Sequence, residues 1–350
     1  MAKRIEVLVV DDSAYMRKVV SNMLQSDEEI FVVDTARDGL DALEKIKKWK
    51  PDVVTLDVEM PRMDGLTALQ KIMVECPTPV VMLSSLTQEG SETTIKALTL
   101  GAVDFVPKPS GAISLDIARV KEELIRKIKV CAKASLKNIR ALQMIAPIPK
   151  KEAAAVAAKP LAGKTPSKVV VIGSSTGGPN ALQQVVPKLP ADLPAAVLIV
   201  QHMPPGFTKS LADRLNDISG ITVKEASAGD TLQTGVALLA PGGYHMNLVS
   251  STVIGLNQNP PVHSVRPAVD VTMESVVNYY GPNVVGVVLT GMGYDGSGGA
   301  SAIKRAGGKV IAQNEDTCVV YGMPRVVVEM GKADKVLPIT EIADEIVKML

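Results

Sequence analysis

Residues 5–12 read IEVLVVDD, and residues 52–58 read DVVTLDV. Each is an apolar, largely β-branched run that meets aspartate at its end. A run apolar at nearly every position fits a strand buried on both faces, as in a parallel sheet between two layers of helices. Outward from these two runs, IFVV (30–33), PVVMLS (79–84) and VDFV (103–106) are of the same kind. The stretches SAYMRKVVSNMLQS, GLDALEKIKKW and SETTIKALTL between them carry amphipathic helical patterns. Five strands alternating with helices predict an α/β domain with a five-stranded parallel, doubly wound sheet. Residues 114–143 predict a long helix after it, with Ile117, Val120, Leu124 and Ile128 spaced along one face.

The pattern then breaks. Residues 146–167, APIPKKEAAAVAAKPLAGKTPS, are rich in Ala, Pro and Lys and lack a periodic apolar face. They read as a linker between a first domain, 1–145, and a second, 168–350. The length of 350 residues suits two domains, each with its own core. The second half again predicts a parallel α/β sheet, from KVVVIG (168–173), AAVLIV (195–200), VALLA (236–240) and VVGVVLT (284–290). PNALQQVVPKL and DVTMESVVNYY are helical patterns between them, and no short repeat is visible.

Composition removes several function classes. Thirty-eight Lys and Arg against 37 Asp and Glu leave no strong field for nucleic acid or anionic lipid. Residues 168–350 show no helix-turn-helix pattern and no basic stripe, which argues against a DNA-binding output. Three scattered cysteines without a CxxC pair argue against a disulfide scaffold or structural zinc and suit a reducing cytoplasm. The five-residue apolar run near the N-terminus is too short for a signal peptide, and no stretch reaches the length of a membrane span.

In open α/β sheets ligands bind beyond the carboxyl ends of the strands. In the first half those ends carry Asp11 and Asp12, then Asp57, then Ser84 and Ser85, then Lys108. Crowded carboxylates suit a hard cation such as Mg²⁺, and one of them can then act as nucleophile toward phosphorus. Taken singly, each acid reads equally as a helix cap. The segments VVDDS, TLDVEMPRMDG, SS and VPKP resemble the receiver domain of two-component response regulators, a flavodoxin-like fold. The resemblance implies phosphorylation of Asp57 by a histidine kinase and Mg²⁺ held by Asp11, Asp12 and Asp57. It also implies Ser84 and Lys108 as sensors of the phosphoryl group, with Ser85 the alternative hydroxyl.

The strand ends of the second half carry different chemistry. KVVVIG runs into Ser174, Ser175 and Thr176; AAVLIV runs into Gln201 and His202; VVGVVLT runs into GMGYDG with Asp295. A hydroxyl, an imidazole and a carboxylate are the parts of a nucleophilic triad. The order Ser–His–Asp is not that of α/β-hydrolases, and GSSTGG is not their G-x-S-x-G elbow. Phosphate loops made by GSSTGG and GMGYDG are the competing reading, although G-x-G-x-x-G spacing is absent. Three histidines are available. His202 is preferred as base because its strand should adjoin the serine strand. His245, after a PGG turn that could line a cleft, competes, and His263 lies in a Pro-rich loop with Arg266.

The segments IGSSTGGPNAL, VQHMPPGFTKSLADRL, APGGYHM, HSVRPAVDV and LTGMGYDGSGG resemble the catalytic domain of the chemotaxis protein-glutamate methylesterases (CheB family). The resemblance implies a Rossmann-like parallel-sheet esterase domain with Ser175 as nucleophile, His202 as base and Asp295 as its orienting acid. It implies the Met292 backbone N–H as oxyanion donor and no cofactor for hydrolysis. Its expected partners are methyl-accepting chemoreceptors as substrate and a chemotaxis histidine kinase as phosphodonor. The two-domain order further predicts that the receiver covers the esterase edge until phosphorylated. Arg266 and the 241–246 turn are weaker candidates for guiding an acidic helix into the site, a structural loop being the alternative.

Overall fold

In the computed structural model the strand at residues 5–10 sits inside a five-stranded parallel sheet. The structure describes residues 3–85, 87–108, 115–135, 138 and 164–350. Residues 114, 136–137 and 139–143 of the expected long helix and most of the expected 146–167 linker lie outside these. The chain divides into two compact units, Met1–Met144 and Ile145–Leu350.

In the first unit the strands are β1 (Ile5–Val10), β2 (Ile30–Ala36), β3 (Val53–Asp57), β4 (Val80–Ser84) and β5 (Asp104–Pro107). Their order is β2-β1-β3-β4-β5, with every pairing parallel. The helices are α1 (Ala14–Gln25), α2 (Gly39–Trp49), α3 (Gly65–Glu75), α4 (Gln88–Thr99) and α5 (Leu115–Cys131). Leu8, Leu56 and Met82, from three adjacent strands, are fully buried, as the apolar runs required. The strand order reverses between β1 and β3, and a crevice at that point is where such sheets bind ligands. Asp11 and Asp12 follow β1, and Asp57 closes β3.

One helix expectation is corrected. The helix predicted over 114–143 ends at Cys131, where the N–H groups of Lys133 and Ala134 bond three residues back, to Val130 and Cys131. Its inner face is Leu124, Ile128 and Cys131, all buried. Tightening of the last turn into such short bonds is how helices commonly stop.

The second unit holds a seven-stranded parallel sheet and a separate antiparallel hairpin. The sheet strands are β6 (Val169–Ser174), β7 (Ala196–Gln201), β8 (Thr222–Glu225), β9 (Val236–Leu239), β12 (Val284–Val288), β13 (Lys309–Gln313) and β14 (Lys335–Leu337). The hairpin pairs β10 (His245–Leu248) with β11 (Ile254–Asn257). The order β14-β13-β12-β6-β7-β9-β8 puts β6 in the middle, with β12 on one side and β7 on the other. The helices are α6 (Gly178–Val185), α7 (Phe207–Ile218), α8 (Val269–Tyr280), α9 (Ser297–Arg305), α10 (Met323–Glu329) and α11 (Ile339–Met349). Chain growth leaves β6 in one direction through β7 and later returns on its other flank through β12. The carboxyl ends of β6, β7 and β12 therefore meet at a second topological switch point.

Candidate active site and phosphoacceptor site

At the first switch point Asp11, Asp12 and Asp57 each present a carboxylate oxygen, all within 4.8 Å of one another. Asp11 and Asp57 are buried and Asp12 is exposed. Lys108 Nζ, just past β5, lies 2.7 Å from Asp57 Oδ1 and 3.0 Å from Asp11 Oδ2. Asp11 Oδ1 accepts the Ser13 N–H at 2.9 Å, and buried Asp11 Oδ2 is left to the Lys108 ammonium. Burial pushes the Asp57 carboxyl up to about 6, with Asp11 adding to the rise and Lys108 opposing it. Three carboxylates gathered within 4.8 Å and faced by one ammonium fit a hard cation with oxygen ligands. Gly65 is required here, because a Cβ at that position would meet the Asp57 carbonyl oxygen at 2.0 Å.

Ser84 is fully buried, and its hydroxyl bonds Thr94 Oγ1 at 2.6 Å and the Gly90 carbonyl at 3.2 Å. It thus ties the end of β4 to α4. The partly buried Ser85 places its hydroxyl 3.1 Å from Thr87 Oγ1.

At the second switch point β6, β7 and β12 deliver the three triad candidates. Ser174 is in register with Gln201, and the His202 N–H donates to the Ser174 carbonyl at 3.1 Å. Ser175 and His202 therefore leave neighbouring strands side by side. On the other flank the Ser175 N–H donates to the Thr290 carbonyl at 3.0 Å. Gly291 follows; a Cβ there would meet Ser175 Cβ at 2.7 Å, so the glycine lets the GMG loop press against the serine.

The His202 ring is held by its Nε2, 2.7 Å from Asp295 Oδ2. Asp295 is 2% exposed, and its carboxylate accepts three further bonds, all from backbone N–H groups. Oδ2 accepts from Val269 at 2.6 Å, and Oδ1 accepts from Asp270 at 2.9 Å and Gly296 at 3.0 Å. Val269 and Asp270 open α8, so a helix N-terminus faces the anion. Burial alone would raise the Asp295 carboxyl, but His202 and these N–H donors outweigh it and hold the group below its usual value. An ionised Asp295 accepts a hydrogen bond from Nε2–H, which leaves Nδ1 as the basic nitrogen of His202. Among the described residues Ser175 Oγ makes no hydrogen bond; bonds of this kind often tighten only with substrate in place.

Spacing in the sequence did not reveal the residue that frames this corner, Gln201. Its Oε1 accepts from Ser174 Oγ at 2.7 Å, and its Nε2 donates to the Ser175 and His202 carbonyls at 2.9 and 3.1 Å. One buried amide thereby ties the backbone at the ends of β6 and β7 together. A glutamine ending an otherwise apolar strand was the available signal.

Two sequence expectations are corrected. His245 does not line a cleft: it is 1% exposed, with Nε2 bonded to the Pro260 carbonyl at 3.1 Å. Arg266 does not reach for an incoming chain, because its Nη1 donates to the Gln258 and Asn259 carbonyls at 2.8 and 2.9 Å. Met292 lies in the loop beside Ser175, against Gly322, where a Cβ would come within 3.2 Å of the Met292 Cα.

The sequence model of the family described as CheB methylesterase matches residues 170–346, the unit that carries these groups. A protein of Symbiobacterium thermophilum named protein-glutamate methylesterase/protein-glutamine glutaminase is 56% identical over 349 residues, covering 98% of this chain and 96% of that protein. The chain belongs to the CheB methylesterase family. An Archaeoglobus fulgidus CheB relative of the same name is 53% identical over 350 residues, 98% of this chain and 97% of its own. The Thermotoga maritima CheB methylesterase catalytic domain superposes with a TM-score of 0.52 at 47% identity, covering 52% of this chain and 98% of that one. Residues 7–118 match the response regulator receiver domain family, so this CheB chain pairs a receiver with a methylesterase unit. No described helix is long and apolar enough to cross a membrane.

Proposed function

We propose that this chain is a phosphorylation-regulated serine hydrolase acting on methyl-accepting chemoreceptors. It removes methyl esters from receptor glutamates and deamidates receptor glutamines, and so serves adaptation in chemotaxis. The observation that carries the reading is the buried His202–Asp295 bond at 2.7 Å, beside the strand end that holds Ser175. Ser175 Oγ attacks the side-chain carbonyl and gives its proton to His202 Nδ1. Asp295 holds the resulting imidazolium through Nε2. The Met292 backbone N–H donates to the oxyanion, an interaction typically worth about 2.7–4 kcal/mol in such sites. His202 returns the proton to the ester oxygen as its bond to carbon breaks, releasing methanol, or to the amide nitrogen, releasing ammonia. Water, deprotonated by the same nitrogen, then cleaves the glutamyl-serine ester.

In the receiver, Asp57 takes a phosphoryl group from a chemotaxis histidine kinase. Asp11, Asp12 and Asp57 would hold Mg²⁺, which supplies charge neutralisation at the phosphoacceptor. Lys108 and Ser84 then pair with the phosphoryl oxygens, and Ser84 must give up Thr94 to do so. That exchange would transmit phosphorylation to α4. Before phosphorylation the receiver restrains the esterase, so deleting residues 1–145 raises basal methanol release. The expected location is the cytoplasm, in keeping with three free cysteines.

The deciding experiment measures methanol release from methylated receptor membranes, with and without a small phosphodonor. Ser175→Ala removes release while Asp57 still takes up phosphate. Persistent release, or organophosphonate labelling of another residue, would overturn the assignment of the nucleophile.

A further inference from the structure

A second imidazole–carboxylate pair lies beside the first. His263 Nε2 is 2.9 Å from Asp270 Oδ2. The His263 ring is partly exposed, whereas Asp270 is buried. His263, Asp270 and Asp295 each bring a ligand-type atom within 4.8 Å of the others. This is not a cation site in the making, because both Asp295 oxygens are already filled by N–H donors. The grouping has another logic.

Asp270 and Asp295 cap each other's helices. The Asp270 N–H, in the first turn of α8, donates to Asp295 Oδ1. Asp270 Oδ1 in turn accepts the Gly299 N–H, in the first turn of α9, at 2.7 Å. Asp295 lies in the loop that leads into α9, so the two carboxylates bind the start of one helix to the start of the other. His263 completes the arrangement on both flanks of Asp295. It bonds Asp270 on one side, and its ring meets Tyr294 edge-on at 4.5 Å on the other. Tyr294 immediately precedes Asp295.

The loop that carries His263 is itself secured. Three successive carbonyls, of Gln258, Asn259 and Pro260, accept from Arg266, Arg266 and His245. His263 and Ser264 then both adopt positive φ, +53° and +64°. Two adjacent non-glycine residues in that region are uncommon and persist where surrounding contacts over-determine them. Here the backbone takes the conformation that lands the imidazole on Asp270.

We propose that His263 and Asp270 form a positioning dyad that fixes the Asp295 carboxylate, and through it the His202 ring, for attack by Ser175. The inference rests on the triad reading above. Like charges this close push one carboxyl up. Burial and the Asp295 charge raise Asp270, while Asp295 stays low. The repulsion thus falls on Asp270, which has Gly299 and His263 as donors, and Asp295 remains an anion for His202. The other groups facing this cluster are Tyr294, Glu274 and, through Glu274, Arg305.

The test uses the full-length protein and methanol release from methylated receptor membranes. His263→Ala lowers kcat about tenfold to a hundredfold, the scale of a sub-ångström to ångström displacement of a reacting group, with KM within about twofold. His263→Gln, which offers Asp270 an N–H from a similar position, recovers most of that loss. Asp270→Asn keeps an acceptor for Gly299 and removes one negative charge near the imidazolium. It displaces the acid limb of the kcat/KM profile to lower pH, and it serves as the test should His263→Ala melt early. Wild-type kcat in a folded His263→Ala, a loss confined to KM, equal losses in the Ala and Gln variants, or an unmoved acid limb in Asp270→Asn would each overturn the dyad. Ser175→Ala run in parallel separates the two claims. Activity in that variant removes the triad itself, whereas its silence beside a fully active His263→Ala removes only the dyad.

Discussion

Asp57 and Asp295 are both 2% exposed, and both lie at the carboxyl edge of a parallel sheet, at a point where the strand order turns. Their acidities nonetheless move apart. Asp57 is raised to about 6, and Asp295 is lowered. Desolvation acts upward on both, so the difference comes from the donors. Asp295 accepts three backbone N–H groups and an imidazole, two of those N–H groups from a helix N-terminus. Asp57 faces the Asp11 carboxylate and is balanced mainly by Lys108. One carboxylate is fully satisfied and serves as a fixed anion. The other is left short of positive charge, which suits the role of phosphoacceptor beside a cation that we propose for it.

Exchanging the charge on each acid for an amide breaks the comparison most directly. Asp295→Asn should cost about 10⁴-fold in kcat, because an amide cannot anchor the required imidazole tautomer. A loss below tenfold in methanol release would mean that His202 is oriented by something else. Asp57→Asn should act in the opposite sense on stability. It ends phosphoryl uptake, yet it removes a buried charge whose upward pKa shift corresponds to about 3 kcal/mol. Calorimetry of the full chain should show the receiver transition moving up by several degrees. A receiver transition that falls would show that the Lys108 pair outweighs the crowding.

A pH series sharpens the same contrast at a smaller scale. Asp57 titrates near 6 in the folded chain and near 3.8 unfolded. Between those values the folded state binds more protons, so without Mg²⁺ receiver stability falls as pH rises from about 4 to 6. Asp295 is depressed, so its contribution is present above about 3.8 and is lost as pH falls further. Saturating Mg²⁺ should flatten the receiver slope, since it binds the ionised cluster. A receiver whose stability rises with pH through that window would contradict the acidity assigned to Asp57.

Much of this was legible along the chain. Apolar runs located the five strands of the first sheet and β6, β7 and β12 of the second, and their ends offered Asp57, the Ser174–Ser175 pair, His202 and Asp295 as candidates, with Ser175 singled out only by the family resemblance. Other elements were hidden for physical reasons. Thr222–Glu225 and Lys335–Leu337 are short outer strands bearing lysine and threonine, so no long apolar run marks them. The 10–11 hairpin stands apart from the main sheet. Helical periodicity alone ran past Cys131, where the chain turns. His245 and Arg266 looked like site residues because polar groups near a cleft and polar groups inside a loop read alike in sequence.

Sequence by itself determined which residues stand at strand ends, because a buried parallel strand must be apolar and its polar end must mark the edge. Tertiary structure alone decided the partners around each acid. Whether a carboxylate meets a helix N-terminus, as Asp295 does, or another carboxylate, as Asp57 does, depends on which elements the fold brings together from distant parts of the chain. That encounter fixed the proton on His202 Nε2, gave Gln201 its place, and set His263 beside Asp270.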